Sequence, residues 1–172
     1  MITTPADILG ALFADLNEWT KSNRGQCAIS AGPDHLFKLL QDPPTGWRLI
    51  LHWEGDENPN ERVRGGNVVT NRYRFILDGN LGPTAIPNIA LVRWTASRTP
   101  LLDILSSVRA RVLAYRFAWL DAQNNRFIYK GSDDKVPLPD GLFLAAYNLS
   151  FDLNSTIVLP GEEIELTIPE GI

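Results

Sequence analysis

An α+β fold is predicted: a mixed, mostly antiparallel β-sheet with a long helix and an N-terminal helix packed on one face, and long hairpin loops extending from the core. Three observations predict it. Apolar residues recur at helical spacing over about residues 5–20 and again over about 100–121. Between them, Trp47 to Asp78 changes to a period of two, with strand-like arms on either side of a polar stretch, Gly55 to Gly66. A third period-two run, Leu142 to Leu153, is the clearest half-buried strand in the chain.

Length and composition bound the reading. With 172 residues the chain suits one well-filled core, since domains cluster near ~100–150 residues. We read a single domain over 1–172, with a core at about 4–153 and a C-terminal extension at 154–172. Hydrophobic residues at 44% and charged residues at 21% argue against a disordered chain and a membrane protein. The formal charge is −4, and Lys and Arg are scattered, which leaves no electrostatic footprint for sequence-specific nucleic-acid binding. The single cysteine, Cys27, has no partner for an intrachain disulfide, which fits a reducing compartment. The N-terminus lacks signal-peptide features, and no apolar run reaches the ~18 residues of a membrane helix. Synthesis in the cytosol is expected.

In chain order, Thr4-Pro5-Ala6-Asp7 opens the first helix with a threonine cap, a proline whose missing N–H costs nothing, and a carboxylate near the positive dipole end. Ile8, Leu9, Leu12, Phe13, Leu16 and Trp19 then form one stripe. Cys27 to Ile29 reads as a short strand, and Asp34 to Gln41 as a short helix capped by Asp34 and ended by Pro43-Pro44. Trp47, Leu49, Leu51 and Trp53 share one strand face, opposite Arg48, Ile50, His52 and Glu54. In the second arm, Val69, Tyr73, Phe75 and Leu77 oppose Thr70, Arg72 and Arg74. One face is therefore buried, and the other is wet or covered by a partner. A further strand is read at Asn88 to Ala96, and Thr99-Pro100 repeats the helix-start signal. The second helix carries the stripe Leu101, Leu105, Val108, Val112, Tyr115 and Trp119. A short strand at Arg126 to Lys130 precedes a polar excursion, Gly131 to Gly141, whose two prolines keep it out of a central strand. After Asn154, Ile157-Val158-Leu159 and Glu162 to Ile168 either extend the sheet or pair with a neighbouring subunit.

Little of this carries catalytic chemistry. His35 and His52 are not a metal-spaced pair, and one cysteine cannot build a thiolate zinc site. There is no Walker loop, dinucleotide fingerprint or nucleophile elbow. A thiol nucleophile at Cys27 with His52 as base is the minor reading beside that of a small buried hydrophobe. No cofactor and no metal are expected. Asp56-Glu57 and Asp133-Asp134 read most plainly as solvated loop charge, yet their place at loop tips makes them candidate contacts. Arg72 and Arg74 either keep a sheet face soluble or pair with acids across a subunit interface, where arginine's planar fork is favoured. The continuation of this arm through Arg62 and Arg64 tilts the reading to the interface. The candidate interface residues are thus Asp56, Glu57, Glu61, Arg62, Arg64, Arg72, Arg74, Asp133, Asp134 and Lys135.

The N-terminal helix from Pro5, the arm ending Arg72-Tyr73-Arg74-Phe75, the Pro100 to Trp119 helix and the closing strands through Asp152 follow one another in a telling order. Over about residues 4–153 this order resembles the tail terminator proteins of long-tailed bacteriophages, also called tail completion or minor tail proteins. The likeness is one of element order, without a signature motif. It implies a virion structural protein and not an enzyme, assembled in the host cytoplasm into a homohexameric ring. Such a ring caps the tail tube, ends its polymerisation and docks the head or neck. The implied partners are the chain itself, the tail tube protein and a head completion or neck protein, with DNA only in passage through the lumen and no membrane. The unit at Asp34 to Leu40 and the strands after Asn154 lie outside the family pattern, so another head-tail connector is the nearest alternative. A monomeric carbohydrate- or peptide-binding module, with Trp47, Trp53 and Trp94 as stacking platforms, is the alternative of another class. Strand alternation places Trp47 and Trp53 inward with Leu49 and Leu51, which favours core packing.

Overall fold

The computed structural model describes residues 4–42, 44, 46–57, 68–80, 101–120, 125–139 and 144–156. Their elements run α1 (Pro5–Ser22), β1 (Gly25–Ile29), α2 (Pro33–Gln41), β2 (Trp47–Glu57), β3 (Val68–Asn80), α3 (Leu101–Ala114), β4 (Ile128–Asp133) and β5 (Leu144–Thr156). The strands form one sheet in the order β1-β2-β3-β5-β4. β1 runs parallel to β2, and every other pairing is antiparallel. The α+β class read from the sequence is the one observed. Among the described residues, no helix is long and apolar enough to cross a membrane.

The start of α1 follows its sequence signals. Thr4 accepts from the Asp7 N–H at 3.2 Å and donates its own N–H to the Asp7 carboxylate at 2.9 Å, closing a capping box. The helix buries Ile8, Leu9, Leu12 and Leu16. α2 starts one residue earlier than its sequence suggests: Gly32 is the cap, and Asp34 lies inside the first turn. With no side chain on Gly32, His35 supplies the reciprocal bond, its Nδ1 accepting the Ala31 N–H at 2.8 Å.

Alternation along the strands sends the two sets of residues to opposite faces. On one face Leu49, Leu51, Tyr73, Phe75, Leu77, Leu149 and Phe151 merge with α1 and with Leu101, Ile104, Leu105, Val108 and Val112 of α3. Phe127 seals this core edge-on, with ring centroids 5.4 Å from Tyr73 and 5.7 Å from Phe75. Asp15 of α1 and Arg111 of α3 join across it through two hydrogen bonds of 3.2 Å. On the other face α2 lays Leu36 and Leu40 over Ile50 and Ile76. Helices thus cover both faces, with α1 and α3 together on one and the short α2 alone on the other.

Several boundaries differ from the sequence reading. The second helix stops at Ala114 instead of running to about 121. Phe117 leaves the helical path, donating its N–H to the Asn125 carbonyl at 3.0 Å, and is fully buried against Phe127. An aromatic run has modest helix propensity, and burying this ring offsets the lost helical bonds. Trp119, expected on the stripe, is 42% exposed. The strands at 47–57, 128–133 and 144–156 also extend into segments read as loop or tail, through register shifts between Trp53 and Gly55 and between Tyr129 and Gly131. Gly55 and Gly131 have φ of 137° and 140°, values that side chains disfavour, so the shift is available where the sequence has glycine. The strand read at Asn88 to Ala96 and the pieces after Ile157 lie outside the described residues.

Candidate functional site

Beyond α2, the second face of the sheet is uncovered among the described residues and polar. Register sets His52, Arg74 and Ser150 in one row, and Gly55, Arg72 and Asp152 in another. Arg74 Nε lies 3.2 Å from Glu54 Oε1, and Arg72 reaches Glu57 at 2.6 Å with both side chains about half exposed. Lys130 stands 3.9 Å from Asp152. Both arginines therefore find an acid within their own chain. Any contact across a subunit interface has to share or exchange these partners.

Asp56 and Glu57, read as loop-tip residues, are strand residues paired with Asn71 and Thr70 beyond the Gly55 bulge. Glu61, Arg62 and Arg64 lie outside the described residues. Asp133 ends β4 and is held in place: its Oδ1 accepts from the Lys135 N–H and from Asn148 Nδ2, each at 2.8 Å. The Asn148 bond, then the Lys135 N–H, hold its carboxyl below the usual carboxylate range, and the charge of Arg74 adds in the same sense. Asp134 and Lys135 are exposed just past the strand. The excursion they belong to is not wholly solvent-facing, because Val136 and Leu138 pack against the α2 cluster. The structure thus gathers Glu57, Arg72, Arg74 and Asp133 on one polar face and leaves Asp134 and Lys135 at its margin.

Under α2 lies a buried ion pair. Arg48 grips Asp78 with two bonds, Nε to Oδ1 at 3.2 Å and Nη2 to Oδ2 at 2.7 Å. Its remaining donors reach the Leu39 and Asp42 carbonyls at 2.7 and 2.9 Å, closing the C-terminal end of α2. Burial pushes the Asp78 carboxyl up, and the Arg48 bonds pull against that shift. The pair locks α2 to the sheet, and every donor named has an acceptor.

At the other end of α2 the fold leaves a cleft of about 690 Å³ between the first turns of α1 and α2, with Ile29, Ser30, His52, Trp53 and Glu54 in its lining. This size is in the usual range for small-molecule sites. His52 is only 5% exposed, and its Nδ1 lies 3.0 Å from Ser30 Oγ. Ser30 Oγ also lies 2.9 Å from the Gly32 carbonyl and accepts the Gly32 N–H at 3.3 Å. Burial first, and then the charge of Arg74, hold the imidazole below its usual value, with Glu54 opposing. Trp53, expected inward, is 37% exposed. It shares a face with Leu51 but lies at the end of the helix-covered area, where its Nε1 donates to Asn71 Oδ1 at 3.3 Å.

The Cys27–His52 dyad does not form. Cys27 pairs in register with Leu49 and packs on the main core, whereas His52 has the parity of Ile50 on the opposite face. Burial also raises the Cys27 thiol to about 12, far from a reactive thiolate.

Neither a scan against protein-family models nor a search of curated proteins finds a match for this chain.

The Arg48–Asp78 pair and the His52–Ser30 bond escape a linear reading because each joins residues from separate elements. One signal does point to them. Ile50 and Ile76 sit among polar residues on the face expected to be wet, and a covered aliphatic pair requires something on top of it.

Proposed function

We propose that this chain is a virion structural protein, a tail terminator whose ring caps the tail tube, ends its polymerisation and offers the docking surface for head or neck. The observation that supports it best is the unequal closure of the sheet. α1 and α3 cover most of one face, while among the described residues the β2–β3–β5 part of the other continues past α2 as an open polar surface bearing Glu57, Arg72, Arg74 and Asp152. Such a surface suits contacts that assemble and align copies, because charge complementarity sets register and partner more than raw affinity. Apart from α2, which lies outside the family pattern, the described order from α1 through β5 is the order on which the resemblance rests. The net charge of −4 suits passage of DNA through a lumen without adhesion.

On this reading the copies of the chain meet one another, the tail tube protein and a head completion or neck protein. The chemistry is contact and no bond is made or broken. The test is tube growth: purified chain added to polymerising tail tube protein should yield tubes of limited length, each bearing a ring at one end in negative-stain images. Tubes of unchanged length with bare ends would refute the role. A head-tail connector would instead bind finished necks and leave tube growth alone.

A further inference from the structure

We propose that the outer edge of β2 beyond the end of β1 is a strand-acceptor site, filled by residues 162–168 of a neighbouring copy lying between the first turns of α1 and α2. The site exists because the two strands stop at different places. β1 pairs with β2 only as far as Ile29, opposite Leu51, whereas β2 continues to Glu57. The Ser30 hydroxyl takes the Gly32 N–H and Pro33 opens α2, so the chain turns off the edge at Ser30. The Ser30 N–H still reaches the Leu51 carbonyl at 2.9 Å, which shows that Leu51 presents its backbone groups toward β1. Trp53, two residues on, presents its N–H and carbonyl the same way, to an edge where β1 has already ended. Among the described residues no strand pairs with β2 there, and the cleft of about 690 Å³ lies along it with Trp53 in its lining. An unpaired strand edge beside a cleft is a template for an extended chain.

The opposite faces of β2 make the two walls. Trp53 shares the face of Leu51, and Pro5, Ala6, Leu9 and Ile29 complete an apolar wall on the α1 side. His52 and Glu54 have the parity of Ile50 and stand with Ser30 on the α2 side. A strand added here sends alternate side chains to the two walls, so it needs aliphatic residues at every second position and polar ones between. Residues 162–168 have that order: Ile164, Leu166 and Ile168 alternate with Glu163, Glu165 and Thr167. On the polar side Arg74 and the positive end of α2 offset Glu54 and Asp34. The acids of the segment are therefore admitted, and the aliphatic wall makes the selection.

The source follows from length. β5 ends at Thr156, at the Glu57 end of the sheet, since Glu57, Thr70 and Asn154 form one row. The acceptor edge lies three strand spacings away, roughly 14 Å. Residues 157–161 span at most about 17 Å when fully extended, and the chain would also have to clear the ends of β3 and β2 and double back to Trp53. A neighbouring copy meets no such limit. The contact does not depend on the tail-terminator role, and copies that assemble through the open sheet face alone would refute it without touching that role.

The full chain would be titrated with a fluorescent peptide of residues 160–170, followed by anisotropy. Saturable binding is expected. Leu166→Asp in the peptide should weaken it at least about tenfold, through loss of one buried aliphatic side chain. N-methylation of successive peptide amides from 164 to 167 should weaken binding at alternate positions, about fivefold at each, because only every second N–H faces the edge. Ala6→Glu in the protein, at an exposed position, should weaken binding about tenfold with Tm unchanged. To identify the source, a Cys27→Ala chain carrying Ala6→Cys would be oxidised with a differently tagged Cys27→Ala chain carrying Ile164→Cys or Ile168→Cys. A disulfide joining the two chains is expected. A bond that forms only within a chain carrying both cysteines, or no bond from either position, would overturn the neighbouring copy as occupant. No peptide binding, or binding indifferent to Leu166→Asp or to the position of the N-methyl group, would overturn the site itself.

Discussion

Alternate residues of the same strands meet two different environments. On one face Leu49, Leu51, Phe75 and Phe151 lie beneath α1 and α3 and are excluded from water. On the other, among the described residues, α2 covers Ile50, Ile76 and the Arg48–Asp78 pair, and the rows beyond carry Glu54, Arg72, Arg74 and Asp152. The closed face is held by non-directional burial, which is strong and indifferent to salt. The open face is held by ion pairs that contribute little each and weaken as salt rises. A surface of the second kind can give up its internal partners for external ones at small cost. That difference is why Glu57, Arg72, Arg74 and Asp133 fall together on the open side of the sheet.

The comparison breaks most readily at the core and under α2. Phe75→Ala should cost about 3–5 kcal/mol of unfolding free energy in denaturant titration, as expected for an aromatic removed from a packed site. Asp78→Ala should cost about as much, about 3–5 kcal/mol, because Arg48 then stays buried without its carboxylate. The paired change Arg48→Met with Asp78→Leu should recover most of that loss. A pair of near-neutral single variants would place this contact with the exposed ion pairs instead. Tyr73→Phe should act in the opposite direction. Among the described residues the buried Tyr73 hydroxyl has no partner, so its removal should raise stability by about 1 kcal/mol. At the small end, Arg72→Ala should change stability by less than about 1 kcal/mol, since its partner Glu57 is half exposed.

A pH series sharpens the boundary between the faces. His52 is held below the ordinary imidazole value of 6.5, so the folded state binds that proton less readily than the unfolded chain does. Its contribution is fully present above pH 6.5 and is lost as pH falls from there toward the folded value. His52→Gln should flatten that part of the Tm profile. His35 is common to both proteins, so their difference isolates His52. An identical slope in the variant would show that His52 is not the group responsible.

Much of the architecture was legible in sequence because it is local. The Thr4 capping box, the α1 stripe, the switch to period two at Trp47 and the run ending at Leu153 each follow from neighbours within a few residues. What stayed hidden is set across space. Phe117 leaves the helix because Phe127 receives its ring, and that residue lies ten positions on, just before β4. β2 passes Trp53 because Gly55 permits a bulge opposite Arg72 and Tyr73. The candidate arginines were visible as a stripe, but their acids, Glu54 and Glu57, were assigned to other roles. The cleft was invisible, since the turn between β1 and α2 brings Ser30 to His52 across a sequence separation of 22.

The central claim is that the open face joins copies of this chain into a ring. Sedimentation velocity over a range of protein concentrations, at low and moderate salt, tests it most directly. The account predicts a discrete assembly with the mass of about six subunits, favoured at low salt because charged pairs align it. A species that remains monomeric at every concentration, including in the presence of tail tubes, would contradict it.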